Sequence, residues 1–136
     1  MIMGFNKAWN ENMVKLREYL KTHKMEEYDD YGKLVQLVAD IILKEHNLEV
    51  KEIYNNDDYS GEIFYLLDSG YTWDSYITYI YYGSCSSCDT ILRITNYCSD
   101  ELPNDQQLYD FMILCLHIIQ RCKKLSILTD GYEGGC

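Results

Sequence analysis

The apolar residues of this 136-residue chain follow a helical spacing near both ends and a strand-like pattern between them. Apolar side chains recur at intervals of three and four over residues 6–24, 31–46 and 105–124, which predicts three amphipathic helices. The predicted buried stripes are Trp9, Met13, Leu16 and Leu20; Leu34, Leu37, Val38, Ile41 and Ile42; and Leu108, Phe111, Met112, Cys115, Ile118, Ile119 and Cys122. The first two helices are expected to form an αα-hairpin.

Short runs typical of β-strands lie between these helices. Residues 48–54, 63–67 and 73–82 are predicted strands, separated by Asn-, Asp- and Gly-rich turns. In the first strand, simple alternation places Tyr54 on the face opposite Lys51. Eight of the 14 Tyr fall between Tyr54 and Tyr82, and aromatic side chains suit a half-buried sheet. Residues 90–97 fit either a strand or a short helix.

Polar residues mark where the predicted helices begin. Asn6, either Asp29 or Asp30, and either Asn104 or Asp105 are the candidate N-caps. Pro103 separates the last helix from the strands. We therefore predict a single α+β domain over residues 1–136. It comprises a helical hairpin (1–47), an antiparallel sheet of three or four strands (48–98) and a C-terminal helix packed on that sheet (104–125).

The net charge of −10 is concentrated in the middle of the chain. Residues 48–110 hold 12 acidic and 2 basic side chains, whereas the segments on either side are close to neutral. Direct binding to a nucleic-acid backbone is disfavoured, because phosphates are neutralised by Lys and Arg. A solvated surface that keeps the protein soluble is one interpretation of the acidic middle segment. An acidic face for a partner protein with a basic surface is the other.

The second interpretation names a candidate binding face rich in acids and Tyr. Tyr is enriched in interface cores, and acids attract a basic partner. The candidate residues are Asp57, Asp58, Tyr59, Glu62, Asp68, Tyr71, Asp74 and Tyr76. A module of this kind would block a nucleic-acid-handling protein by mimicking its ligand. The chain is then more readily a binding protein than an enzyme.

A Cys-x-x-Cys turn is the sequence's main hint of chemistry. Cys85 and Cys88 have the spacing with which two thiolates reach one zinc ion, and Cys98 is a candidate further ligand. The same spacing serves thiol–disulfide exchange. A tight turn with two small packed side chains is the third interpretation. The turn therefore indicates either zinc as a cofactor or no cofactor.

The same segment carries a resemblance. Tyr59-Ser60-Gly61-Glu62-Ile63-Phe64, followed by Tyr82-Gly83-Ser84-Cys85-Ser86-Ser87-Cys88-Asp89, resembles a family of small uncharacterised phage and bacterial proteins. Ser87 stands where that family commonly has Gly. The resemblance covers roughly 30 residues, implies no activity, and implies a viral or mobile gene and a role for Cys85, Cys88 and Asp89.

The remaining expectations concern location and assembly. No apolar stretch reaches the ~20 residues of a spanning helix, and the first residues lack a basic segment followed by an apolar run. We therefore expect a cytoplasmic protein, inside the host cell if the gene is viral, with no membrane partner. A structural or homo-oligomeric subunit is a further alternative function.

Overall fold

The computed structural model describes residues 4–28, 30–55, 60–83, 90–95 and 100–125. Within these ranges the fold is α+β, with four α-helices and one four-stranded antiparallel sheet, which confirms the predicted fold class. The helices are α1 (Phe5–Thr22), α2 (Tyr31–Ile41), α3 (Thr90–Thr95) and α4 (Asp105–Gln120). The strands are β1 (Glu49–Asn55), β2 (Ser60–Asp68), β3 (Tyr76–Gly83) and β4 (Lys123–Lys124), in that order across the sheet.

Two helices begin at caps that the sequence predicts. The Asp30 carboxylate accepts the N–H of Gly32 at 2.6 Å at the start of α2. Before α4, the Asn104 side chain accepts the N–H of Gln107 at 2.8 Å, and the Gln107 side chain accepts the N–H of Asn104 at 2.9 Å. This reciprocal pair satisfies two backbone donors that the helix itself leaves free.

The prediction for α1 was wrong, because its N-cap is Gly4 rather than Asn6. Gly4 has φ 94°, a left-handed conformation that a residue with a Cβ adopts at a cost. Gly4 itself has no side chain that could cap this helix end.

Replacing Asn104 by Ala is expected to lower the free energy of unfolding by about 1 kcal/mol, since the Gln107 N–H then loses its acceptor. Urea unfolding followed by circular dichroism measures this change. Asn104→Asp is the matched control, because it keeps an acceptor oxygen in the same place and should cost much less. Equal losses in the two variants would contradict a capping role for this side chain.

The helices cover one face of the sheet. α2 contacts β1, α4 contacts β3, and α1 packs on both α2 and α4. Alternate residues of β2 and β3 point into the core between these layers and are buried: Ile63, Tyr65, Leu67, Tyr76, Thr78 and Ile80. The same face holds the partly buried Val50 of β1. The residues of β2 and β3 that alternate with these buried ones lie on the other face of the sheet.

Buried hydrogen bonds fix the helices in register with the sheet. The Thr78 hydroxyl donates to the Ile118 carbonyl at 2.8 Å, joining β3 to α4. The Tyr31 hydroxyl accepts the N–H of Ile91 at 3.1 Å, joining α2 to α3. Residues 90–95, which fitted two predictions, form a short helix that contacts α4 and β3.

Element ends differ from the prediction where the backbone turns. The last helix stops at Gln120 instead of 124, because Lys123 and Lys124 pair with β3 and the Leu125 N–H donates to the Ser75 carbonyl at 2.9 Å. The second helix stops at Ile41 and is followed by a 3₁₀ turn, Lys44–His46.

Two further predictions differ from the structure. The third strand starts at Tyr76 rather than 73, because Thr72–Asp74 forms another 3₁₀ turn. Met13 was predicted to be buried and is exposed.

Candidate functional site

A bulge in β1 turns Tyr54 to the outer face of the sheet. Glu52 pairs with Tyr65 and Tyr54 pairs with Phe64, so Ile53 is the extra residue between two ladder positions. Such a bulge reverses the alternation beyond it. Tyr54 therefore shares a face with Lys51, and the prediction that they lie on opposite faces was wrong.

The outer face carries apolar side chains in rows across the strands. Tyr54, Phe64 and Tyr79 occupy one row, with ring centroids 6.0 Å apart for the first pair and 5.5 Å for the second. Leu66 and Ile77 pair in the next row. We call this surface the aromatic face and define it by Tyr54, Phe64, Leu66, Ile77, Tyr79 and Tyr81. Tyr54 is 56% exposed and Tyr81 is 51% exposed.

Arg121 already lies against this face. Its guanidinium carbon is 5.2 Å from the ring centroid of Tyr79 and 5.1 Å from that of Tyr81. One guanidinium nitrogen also donates to the Tyr79 carbonyl at 3.5 Å. These distances are typical of a cation held over an aromatic ring. The aromatic face thus binds a guanidinium within the same molecule.

Charged side chains surround the aromatic face in balanced numbers. Glu62 lies opposite Tyr81, Lys51 lies opposite Leu66, and Lys123 lies opposite Ile77. The Lys51 ammonium contacts the Asp68 carboxylate at 3.3 Å. The pKa of the Asp68 carboxyl is lowered, mainly by the hydrogen bond from the Gly70 N–H and secondly by the hydrogen bond from Lys51. The acidic excess of the middle segment is therefore not concentrated on the described part of this face.

The structure separates the residues of the predicted acidic, Tyr-rich face. Glu62 and Asp68 lie on the outer face of β2, and Tyr71 and Asp74 lie on the connection between β2 and β3. Asp57, Asp58 and Tyr59 lie outside the described residues. Tyr76 is 3% exposed and faces the core, so its ring is not offered to a partner.

The connection between β2 and β3 is held in place by two acids. The Asp68 carboxylate accepts the Gly70 N–H at 2.8 Å. The Asp74 carboxylate accepts the Tyr76 hydroxyl at 3.0 Å and lies 2.8 Å from His46 Nδ1. Burial, and then this bond to Asp74, raise the pKa of Tyr76. These acids position the connection that carries Tyr71 and Trp73, an exposed pair with ring centroids 4.7 Å apart.

His46 lines a cavity of about 340 Å³ beside the start of α1. Its ring contacts those of Phe5 and Tyr76, with centroids 5.8 Å and 5.6 Å away. Among the described residues that line this cavity there is no serine, threonine or cysteine for His46 to activate. The contacts of His46 and Asp74 join the end of the helical hairpin to the sheet.

The cysteines that the structure describes are core residues. Cys115 and Cys122 are buried free thiols of the last helix and the turn after it. Burial raises the pKa of Cys115, and burial raises the pKa of Cys122 to about 12, although the Thr78 hydroxyl acts in the opposite direction. Both thiols therefore stay protonated in the folded protein.

The predicted Cys-x-x-Cys turn lies outside the part of the chain that the structure describes. Cys85, Cys88, Asp89, Cys98 and Cys136 lie outside the described residues. Among residues that are described, no group of three His, Cys, Asp or Glu side chains converges as metal ligands. The zinc and thiol hypotheses for Cys85 and Cys88 stay predictions.

Sequence reasoning named none of the six residues of the aromatic face as a binding residue, and it did not predict the contact of Arg121 with Tyr79 and Tyr81. In β3 both sets of alternate residues are apolar, with Tyr76 and Ile80 in one set and Tyr79 and Tyr81 in the other. Alternation alone therefore does not indicate which set the helices cover. The contact with Arg121 depends on where α4 ends, which only the three-dimensional structure gives.

Comparison with known proteins does not assign this chain to a family. No protein-family model, no curated protein and no solved structure matches this chain. None of the described helices combines the length and the apolar character that crossing a bilayer requires. The functional argument therefore rests on the surface chemistry of this molecule.

Proposed function

We propose that this chain is a non-enzymatic protein-binding module and that the aromatic face is its contact surface. The observation that carries the proposal is an apolar, largely aromatic sheet face against which none of the described helices packs. Tyr and Phe bury a large area at little cost in side-chain entropy and are enriched at interface centres. Lys51, Glu62 and Lys123 supply a polar rim around this centre.

A partner with exposed Arg side chains suits this face best. Arg121 shows the mode of contact, because its guanidinium is held over Tyr79 and Tyr81. Tyr54 offers a further exposed ring on the same surface. The net charge of −10 attracts a basic protein over a distance and raises the rate of encounter.

A nucleic-acid-handling protein is the class of partner that combines these properties. The binding site of such a protein carries Arg and Lys side chains that bind phosphates, together with side chains that stack on the aromatic bases. The aromatic face presents rings, and the protein as a whole carries negative charge, so it would compete for such a site. This proposal extends the hypothesis of an inhibitor with a basic target, and it moves the contact surface to Tyr54, Tyr79 and Tyr81.

Binding to an Arg-rich peptide tests the chemistry of the face. We expect the double variant Tyr54→Ser/Tyr81→Ser to bind such a peptide about tenfold more weakly than the unmodified protein, since two rings at about 0.5–1 kcal/mol each are lost. Isothermal titration calorimetry at physiological salt measures the change. A Lys-rich peptide of equal charge should show a smaller difference, because Arg stacks on rings more readily than Lys.

The double variant leaves the net charge unchanged, so general electrostatic attraction is the same in both proteins. Leu102→Ser is the matched control, because Leu102 is 55% exposed and follows Glu101, whose carbonyl accepts the Met25 N–H beside the end of α1. It should bind the peptide as the unmodified protein does. Equal peptide affinity in the double variant and this control would contradict a role for the aromatic face.

A further inference from the structure

A second apolar surface lies between α1 and α4, and the described residues that line it all belong to these two helices. The groove is lined by Trp9, Met13, Arg17, Asp105, Tyr109, Met112, Ile113 and Leu116, and it encloses about 440 Å³. Tyr109 is 63% exposed and Met13 is also exposed. Met and aromatic side chains on a helix-pair surface are typical of helix-packing interfaces.

Charges of opposite sign lie at one end of this groove, on different helices. The Met25 N–H donates to the Glu101 carbonyl at 3.0 Å, so the end of α1 lies beside the start of α4. The α1 side of that end carries the exposed Arg17 and, one turn later, Lys21. The α4 side carries Asp105, the first residue of the helix, and Glu101, four residues before it. Both side chains are exposed.

We propose that this groove is a self-association surface and that its occupant is the same groove of a second copy of this chain. A two-fold axis parallel to the helices lays α1 of one copy over α4 of the other and keeps corresponding ends together. The basic end of each α1 then meets the acidic start of the opposite α4, and this occurs twice. Met13 and Tyr109 of each copy are covered in the centre.

The charges at the end of the groove make this surface self-complementary, whereas an uncharged apolar patch would fit a second copy in many orientations. A two-fold axis perpendicular to the helices instead places α1 on α1, which separates Arg17 from Asp105 of the other copy. The charges thus favour a four-helix arrangement in which α1 of one copy faces α4 of the other. This inference concerns a different surface from the aromatic face and does not depend on the proposed function.

Sedimentation equilibrium tests the proposal between about 1 μM and about 1 mM, a range that covers association free energies of about −8 to −4 kcal/mol. We expect the full chain to form a dimer within it. Tyr109→Glu should weaken the dimer at least tenfold, because it buries a carboxylate at the centre of the interface. Tyr81→Glu, the matched substitution on the sheet, should leave the dimer unchanged. A monomer throughout the range overturns the proposal, as does a dimer that Tyr81→Glu disrupts and Tyr109→Glu does not.

A mixing experiment separates charge pairing between copies from damage within one copy. Arg17→Asp alone and Asp105→Lys alone should each associate more weakly than the unmodified protein, because like charges then meet across the axis. An equimolar mixture should form heterodimers, since the introduced aspartate then faces the introduced lysine, and the native Asp105 of one copy faces the native Arg17 of the other. A mixture that associates no better than either variant overturns the proposed arrangement.

Discussion

Leu34→Ala is expected to lower the free energy of unfolding by about 2–5 kcal/mol, as buried Leu→Ala changes do when the structure closes over the cavity incompletely. Leu34 is 0% exposed and lies in α2, which contacts β1, α1 and α4. A cavity there removes contacts from the helical layer and from the sheet together. Since domains of this size are stable by about 5–15 kcal/mol, the change is a large part of the total.

Leu102→Ala is the matched control for this prediction. It removes the same atoms from a side chain that is 55% exposed, and it should change the free energy of unfolding by at most about 0.5 kcal/mol. Urea unfolding of both variants, followed by circular dichroism, gives the comparison. Similar losses in the two would show that α2 is not the centre of the packed layer.

The sequence predicts the fold class well where local physics and tertiary packing agree. The caps at Asp30 and Asn104 follow from side-chain chemistry within three residues. The apolar spacing of α1 and α4 identifies most of their buried residues, whereas in α2 it identifies Leu34 and Val38 of the five. These features are local, so they are encoded in short windows of the sequence.

Most of the predictions that failed depend on contacts between distant residues, and the N-cap of α1 at Gly4 rather than Asn6 is a local exception. β4 forms because the chain after α4 meets the start of β3, and helical spacing alone extended that helix to 124. Met13 belongs to the apolar spacing of α1, but it lies at the edge of the buried stripe, in the groove with Tyr109. The spacing predicts the stripe and leaves its edges unresolved.

The candidate site is predicted less well than the fold for the same reason. The sequence predicts a Tyr-rich sheet, but the bulge at Ile53 decides the face of Tyr54, and the end of α4 decides the position of Arg121. The charge of the middle segment fitted either a solvated surface or a single acidic binding face. The sheet instead brings Lys51 and Lys123 from different segments next to the acids of β2.

The free energy of unfolding is expected to fall steeply above about pH 9, because buried thiols ionise only when the protein unfolds. Burial raises the pKa of Cys115 and the pKa of Cys122 above the ordinary value of 9.0, in the latter case to about 12. Below pH 9 both thiols are protonated in the folded and unfolded states, and their contribution is constant. Above it, the unfolded state loses protons that the folded state retains, so rising pH favours unfolding.

Each thiol contributes a slope of up to about 1.36 kcal/mol per pH unit until its own folded-state pKa is reached, so the two together contribute up to about 2.7 kcal/mol per pH unit. Urea unfolding at intervals from pH 7 to pH 11, under reducing conditions, measures the slope. In Cys115→Ala/Cys122→Ala the slope should be shallower by that amount, whatever the change in stability at pH 7. Each single variant should recover about half of the difference.

The comparison of slopes separates ionisation from packing. Loss of packing shifts the free energy of unfolding equally at every pH, whereas loss of a titrating thiol changes its pH dependence. The remaining cysteines and the tyrosines are present in every variant. Cys122 also raises the pKa of Tyr76, so the single variant Cys115→Ala, which keeps that interaction, is the cleaner test of thiol ionisation. A double variant whose curve runs parallel to that of the unmodified protein would contradict the assignment of Cys115 and Cys122 as protonated core residues.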